Sequence, residues 1–230
     1  MVGHSFGQLK AFCIAGSLSL LDALTLVVER ASLIHRYCGS EQGSMVSLQA
    51  DRRTVDQILQ SLKVRNSEFY AKIACYNSPK SHVFVGSTRA IKSLEQHITN
   101  SLYLRDFVRS KRLRVTHGFH SKFTEPMLPH LTALAKQLDW RHPVLHLETC
   151  DDGSGITEPY FRIVSDHTRF PVFFQQAVER LTMRFSQITW VKAGCRSSVM
   201  QLVQCSVPGL QGQLANSNAP GSLVDISIKL

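Results

Sequence analysis

The segment Gly3-His4-Ser5-Phe6-Gly7 spaces two glycines around a serine in the pattern G-x-S-x-G. On a tight strand-to-helix turn that pattern exposes the serine hydroxyl, and the glycines let the backbone pass without Cβ clashes. The chemistry it serves is acyl transfer. Ser5 would attack a carbonyl at the N-terminus of the following helix, and the Phe6 N–H would donate to the oxyanion that forms there. An ordinary Gly/Ser turn accounts for the same five residues.

A serine nucleophile needs a base. The chain holds ten histidines, so their presence alone selects none. Placement favours His120, in His117-Gly118-Phe119-His120-Ser121, where the chain returns from a segment of different texture and would line a cleft between two subdomains. A hydrogen-bonded structural histidine is the competing reading.

The elements that must position these residues follow from periodicity and caps. Gln8 to Ala15 is expected to form the nucleophile helix, stopped at Gly16. Ser19 caps a second helix with Leu20, Leu21, Leu24, Val27 and Val28 as its apolar positions, running to Tyr37 and closed by Gly39. From Ser44 the pattern changes to strand (Met45–Leu48), helix capped by Asp51, strand (Ala71–Tyr76), turn at Asn77-Ser78-Pro79-Lys80, strand (His82–Val85), helix (Thr88–Ile98) and strand (Leu113–Thr116). That order is the order of a ferredoxin-like unit. The chain then continues with a helix from Thr124 through Leu138, a strand at Val144–Thr149, a polar loop at Asp151–Gly155, a helix at Val172–Leu181, a strand at Ile188–Val191, a turn at Ala193-Gly194 and a helix at Ser197–Val203. Beyond Ser206 the Pro, Gly, Asn and Ser content predicts a loose tail. The fold class expected is α/β, a hydrolase-like parallel-sheet domain made of residues 1–43 and 117–205, with a ferredoxin-like α+β insert at 44–116 and a tail at 206–230.

Composition bounds the partners. The 43% hydrophobic and 19% charged residues are those of a globular protein. The net charge of +9 is scattered, dense only at Arg105 to Arg114 and without aromatic interleaving, which argues against nucleic acid and leaves a solvated basic face, or attraction to an acidic protein or a phosphorylated cofactor. Six cysteines without C-x-x-C spacing argue against zinc and against a disulfide framework, no metal ligands are expected, and a reducing, cytoplasmic setting is expected. The apolar run Ala11–Val28 is broken by Gly16 and Asp22, so it reads as buried helix rather than membrane span.

Taken together, the elbow, the Arg30 helix, Tyr76-Asn77-Ser78-Pro79, Gly118-Phe119-His120-Ser121, Arg169-Phe170-Pro171-Val172 and Ala193-Gly194 come in the order found in malonyl-CoA:acyl carrier protein transacylases. The chain resembles most the acyltransferase domain of fungal iterative type I polyketide synthases, up to about Val203. The resemblance implies a serine acyl-enzyme on Ser5 and His120 as its base and acid, with a main-chain carbonyl near His167 orienting the imidazole. It also implies that Arg30 grips the acyl carboxylate, that Phe119 fills the space of an α-methyl branch, and that Asn77 lies near the thioester arm. As a plain turn residue Asn77 is equally well explained. Malonyl-CoA would be the substrate and the phosphopantetheine of an acyl carrier protein or synthase module the acceptor, with no bound cofactor. Gln8 departs from the Glu common at that position.

Only Met1 and Val2 precede Gly3. The expectation is therefore an N-terminally truncated domain, without its front strands and the Gly-Gln-Gly-type segment that would carry a second oxyanion donor. An inactive remnant serving at most as an interaction module is the alternative, and a serine esterase or thioesterase a third, disfavoured by Arg30.

Overall fold

The computed structural model describes residues 1–39, 42–153, 160–193, 198–207 and 214–215. The first helix, α1 (Gly7–Ile14), is followed by α2 (Leu20–Tyr37). Ser19 caps α2 as expected, its hydroxyl accepting from the Asp22 N–H at 3.0 Å. The face of α2 that packs is not the one its leucines outline. Ala23, Leu26, Leu33 and Ile34 are buried, whereas Leu20, Leu21, Leu24 and Val28 are more than half exposed.

The middle of the chain runs β1 (Ser44–Gln49), α3 (Arg52–Arg65), β2 (Ala71–Ser78), β3 (Ser81–Gly86), α4 (Thr88–Asn100), the short α5 (Leu104–Phe107) and β4 (Arg109–Arg112). Its four strands form one sheet in the order β2-β3-β1-β4 with every neighbouring pair antiparallel. This is the strand order of a split βαββαβ unit. Asp51 and Ser87 cap α3 and α4. Both sheet faces are buried. Val46, Leu48, Ile73 and Phe84 pack under α3 and α4, while Met45, Ala74, Cys75, Val83 and Val85 pack against Phe123, Val172, Phe174 and Val178. The last strand lies earlier than the apolar pattern predicts, at Arg109–Arg112 rather than Leu113–Thr116. It is an exposed edge strand held by backbone pairing to β1, and its basic side chains carry no burial signal.

After a 3-10 turn (Lys122–Met127) come α6 (Leu128–Ala135), α7 (Phe161–Arg169), α8 (Phe174–Arg184), β5 (Trp190–Val191), α9 (Val199–Ser206) and β6 (Leu214–Ala215). The single helix expected from Thr124 to Leu138 is thus divided. Pro129 lacks the N–H that would bond the Glu125 carbonyl, which is taken instead by Leu128 in a tighter turn. Three further expectations change. Val144–Thr149 forms no strand, only a parallel bridge from Glu148 to Val2. α7 was not anticipated. α8 starts at Phe174 because Val172 is held in a parallel bridge to Cys75 of β2. Parallel pairing among the described residues consists of these two bridges and β5 with β6. Gly194 and Ser197 lie outside the described residues, as do the end of the Asp151–Gly155 loop and nearly all of the tail. Among the described residues no helix is long and apolar enough to cross a membrane.

Candidate active site

Ser5 sits at φ +48, the left-handed conformation an elbow imposes. The turn is closed by hydrogen bonds from Gly7 N–H to the His4 carbonyl (2.9 Å) and from Gln8 N–H to the Ser5 carbonyl (2.8 Å). The two glycines of the motif are not equivalent. A Cβ on Gly3 would lie 2.3 Å from the Gly7 backbone, so only glycine fits, whereas a Cβ on Gly7 would meet nothing within 4 Å. The expectation that both relieve a clash is corrected to Gly3 alone. Phe6 caps α1, and its N–H has no hydrogen-bond partner among the described residues, as an oxyanion donor requires.

The Ser5 hydroxyl lies 2.8 Å from His120 Nε2. Behind the ring, Nδ1 is 2.9 Å from the His167 carbonyl and 3.2 Å from that of Phe170. Carbonyls only accept, so Nδ1 carries the proton, Nε2 is the free acceptor, and Ser5 donates to it. The carbonyls stand at the C-terminal end of α7, where helix C=O groups lack internal partners and the dipole favours a positive charge. His120 itself is at φ +58. Its loop is fixed by Gly118, where a Cβ would press on Phe123 and Val85 at 2.8 and 2.9 Å, and by Ser121, which caps the following turn by accepting from Phe123 N–H. Burial, then the Arg30 charge, pushes the His120 imidazole down to about 4.

The side chain of His167 packs edge-on to His120 with ring centroids 5.5 Å apart, and burial keeps it well below the usual histidine range. Its carbonyl is the part that meets the His120 ring. Arg30, from α2, is largely shielded from water and has no carboxylate partner among the described residues. Its Nε reaches Thr168 Oγ1 at 3.4 Å and its guanidinium lies 5.7 Å from the Phe119 ring centroid. Thr168 was not foreseen. Nothing in its type marks it, since its contact with Arg30 comes from standing in the last turn of α7, next to His167.

Asn77 is not a turn residue. It is buried on β2, with Oδ1 2.7 Å from His4 Nε2. His4, an unassigned position of the motif, is the other residue sequence reasoning passed over. Gln8 is fully buried and its amide is unpartnered among the described residues. The structure therefore brings Ser5, Phe6, Arg30, Asn77, Phe119, His120 and the His167 carbonyl to one locus from five separate segments.

Over residues 1–208 the sequence matches the acyl transferase domain family. It is 41% identical over 236 residues to the non-reducing polyketide synthase Preu3 of Preussia isomera, a match that covers all of this chain and 9% of that protein. Among solved structures, the acyl transferase domain of SpnD in complex with 2-(pent-4-yn-1-yl)malonyl is 27% identical with a TM-score of 0.78, covering 95% of this chain and 51% of that one. A malonyl-transacylase solved with its type II polyketide synthase acyl-carrier protein shares the fold at a TM-score of 0.79 and 19% identity, covering 94% of this chain and 67% of that one.

Proposed function

The chain belongs to the acyl transferase domain family, and on that premise we propose that it loads malonyl units from malonyl-CoA onto the phosphopantetheine thiol of an acyl carrier protein for polyketide assembly, through an ester on Ser5. The observation that carries this reading is the 2.8 Å contact between Ser5 Oγ and an imidazole whose other nitrogen is held by two carbonyls. That arrangement leaves Nε2 free to take a proton.

In the first half-reaction the Ser5 Oγ–H proton passes to His120 Nε2 as Oγ bonds to the thioester carbon. The carbonyl oxygen becomes an oxyanion facing Phe6 N–H. Collapse breaks the C–S bond, and the departing CoA sulfur takes the proton back from Nε2. In the second half the carrier thiol gives its proton to Nε2, its sulfur bonds to the ester carbon, and Oγ leaves with the proton. The imidazolium formed in between is stabilised by the two carbonyls rather than by a carboxylate. Arg30, with its charge desolvated and unneutralised among the described residues, would receive the malonyl carboxylate, and Phe119 beside it would crowd an α-methyl branch. Asn77 and the elbow line the approach of the thioester arm. Malonyl-CoA and free thiols both belong to the cytoplasm, the setting this reading carries with it.

The test is intact-mass spectrometry after incubation with malonyl-CoA. The wild type gains one malonyl group and Ser5→Ala gains none; equal labelling of the two removes Ser5 from the reaction. The base must be neutral to act, and its imidazole is held at about 4. The initial labelling rate is therefore flat through neutral pH and falls only as pH drops toward that value.

A further inference from the structure

Both members of the dyad occupy left-handed backbone, Ser5 at φ +48 and His120 at φ +58. Such conformations persist only where surrounding structure over-determines them. The two residues are 115 positions apart in sequence and hang on different segments, so their contact depends on what ties those segments together.

One tie runs through His4. Its Nε2–H donates to Asn77 Oδ1 at 2.7 Å, and its ring packs edge-on to Phe174 with centroids 5.1 Å apart. Asn77 belongs to β2. The preceding residue, Tyr76, donates its N–H to the Val172 carbonyl at 2.8 Å, and Val172 N–H donates to the Ala74 carbonyl at 2.8 Å. The Tyr76 ring stacks flat on Phe173, with centroids 4.8 Å apart. Two residues before Val172 is Phe170, whose carbonyl accepts from His120 Nδ1. The links close into a ring: Ser5, His4, Asn77, Tyr76, Val172, Phe170, His120 and back to Ser5.

Resting on the acyl-transfer reading of Ser5 and His120, we infer that His4 is a positioning residue: its hydrogen bond to Asn77 fastens the nucleophile elbow to β2 and, through Val172, to the peptide that clamps His120, which fixes the separation of nucleophile and base. The hydrogen bond is partly buried, with Asn77 on its buried side, so water competes with it less than at the surface and it can set a geometry that the strained elbow would not keep alone. His4 touches neither the reacting atoms nor His120 in this role. It acts through the backbone it immobilises.

The experiment measures the rate at which a fluorophosphonate probe labels Ser5 in the full chain, for wild type, His4→Phe, His4→Gln, Asn77→Leu and the double variant His4→Phe/Asn77→Leu. His4→Phe keeps the aromatic contact with Phe174 and loses the donor; His4→Gln keeps a donor near the Nε2 position. The expected result is a loss of about tenfold to a hundredfold in His4→Phe and in Asn77→Leu, the scale of a small misplacement of reacting groups. The double variant is expected to lose no more than either single one, and His4→Gln to recover a large part of the loss. Should His4→Phe fail to fold, Asn77→Leu carries the test, because it leaves the His4 ring in its place. The inference is overturned if either single variant labels at the wild-type rate, if the two losses multiply, if His4→Gln is as slow as His4→Phe, or if wild-type Ser5 does not react with the probe. The probe carries no malonyl, CoA or carrier group. A chain that shows the expected pattern with the probe but accepts no malonyl would refute the transfer reading and leave the assignment of His4 standing.

Discussion

Arg30 shows how a residue's environment, more than its type, assigns its work. A solvated arginine at a helix end would pair with water and the helix dipole, whereas here the guanidinium is desolvated and lies beside an aromatic ring and a threonine hydroxyl. Desolvation is costly unless a partner of opposite charge arrives, and on the proposed reading the carboxylate of a malonyl group would supply one. Arg30→Ala is therefore expected to lower malonyl loading of Ser5 by about ten- to a hundredfold, the range of a charged hydrogen bond, while sparing acetyl loading. The malonyl-to-acetyl ratio, read by mass spectrometry with both thioesters present, decides it. An unchanged ratio would make Arg30 a packing residue. Arg30 could be picked out in the sequence only through resemblance, because the lack of a counter-ion is a property of the folded neighbourhood.

At the scale of an element, the elbow separates two glycines that a motif treats alike. A Cβ on Gly3 would run into the backbone of Gly7 and Gln8, and no side-chain motion could relieve that clash. Gly3→Ala is expected to destabilise the protein by about 3 kcal/mol or more and to abolish Ser5 labelling. Gly7→Ala adds its methyl into open space at the start of α1 and is expected to stay within about 0.5 kcal/mol of wild type or gain slightly from helix propensity. Thermal melts of the two variants test both statements, and equal losses would sink the distinction. Other elements were legible to different degrees for physical reasons. The helices capped by Ser19 and Asp51 announce themselves, since a cap is a local hydrogen bond between near neighbours. β4 does not, because Arg109-Ser110-Lys111-Arg112 is an exposed edge strand that joins the sheet by backbone pairing to β1 and buries no apolar side chain.

Across the whole molecule, three imidazoles, those of His4, His120 and His167, are held neutral mainly by burial around one site. Each binds a proton more readily in the unfolded chain than in the folded one. Their contribution is thus fully present above the unfolded value near 6.5 and is lost as pH falls from there toward the folded values. For His120, held at about 4, the loss is on the order of 3 kcal/mol. The melting temperature is expected to drop steeply between pH 6.5 and pH 4, and to drop less in His167→Gln than in wild type. A flat profile across that interval would contradict the burial on which the base depends. The same interior explains the sheet. Met45 and Val46 face opposite sides of β1 and both are buried, so the strand lacks the one-sided alternation of a solvated sheet.

The amino-acid order alone determined what is local: the caps, the βαββαβ order of the insert, the elbow pattern and, through six ordered blocks, the family. Only the tertiary structure decided which face of α2 packs, since Leu20, Leu21 and Leu24 have the right spacing for burial and yet lie outward while Ala23 and Leu26 face the core. It also decided which proton sits on which nitrogen of His120, because that follows from two carbonyls 47 and 50 positions away. Asn77 makes the same point. Read as a turn asparagine, it lies instead within a strand and bonds a histidine 73 positions away. Periodicity and capping are encoded within one or two turns of chain, where neighbours in sequence are neighbours in space. The contacts that orient the His120 ring, leave Arg30 without a counter-ion among the described residues and join β2 to the elbow are made between segments whose separation along the chain carries no record of their meeting.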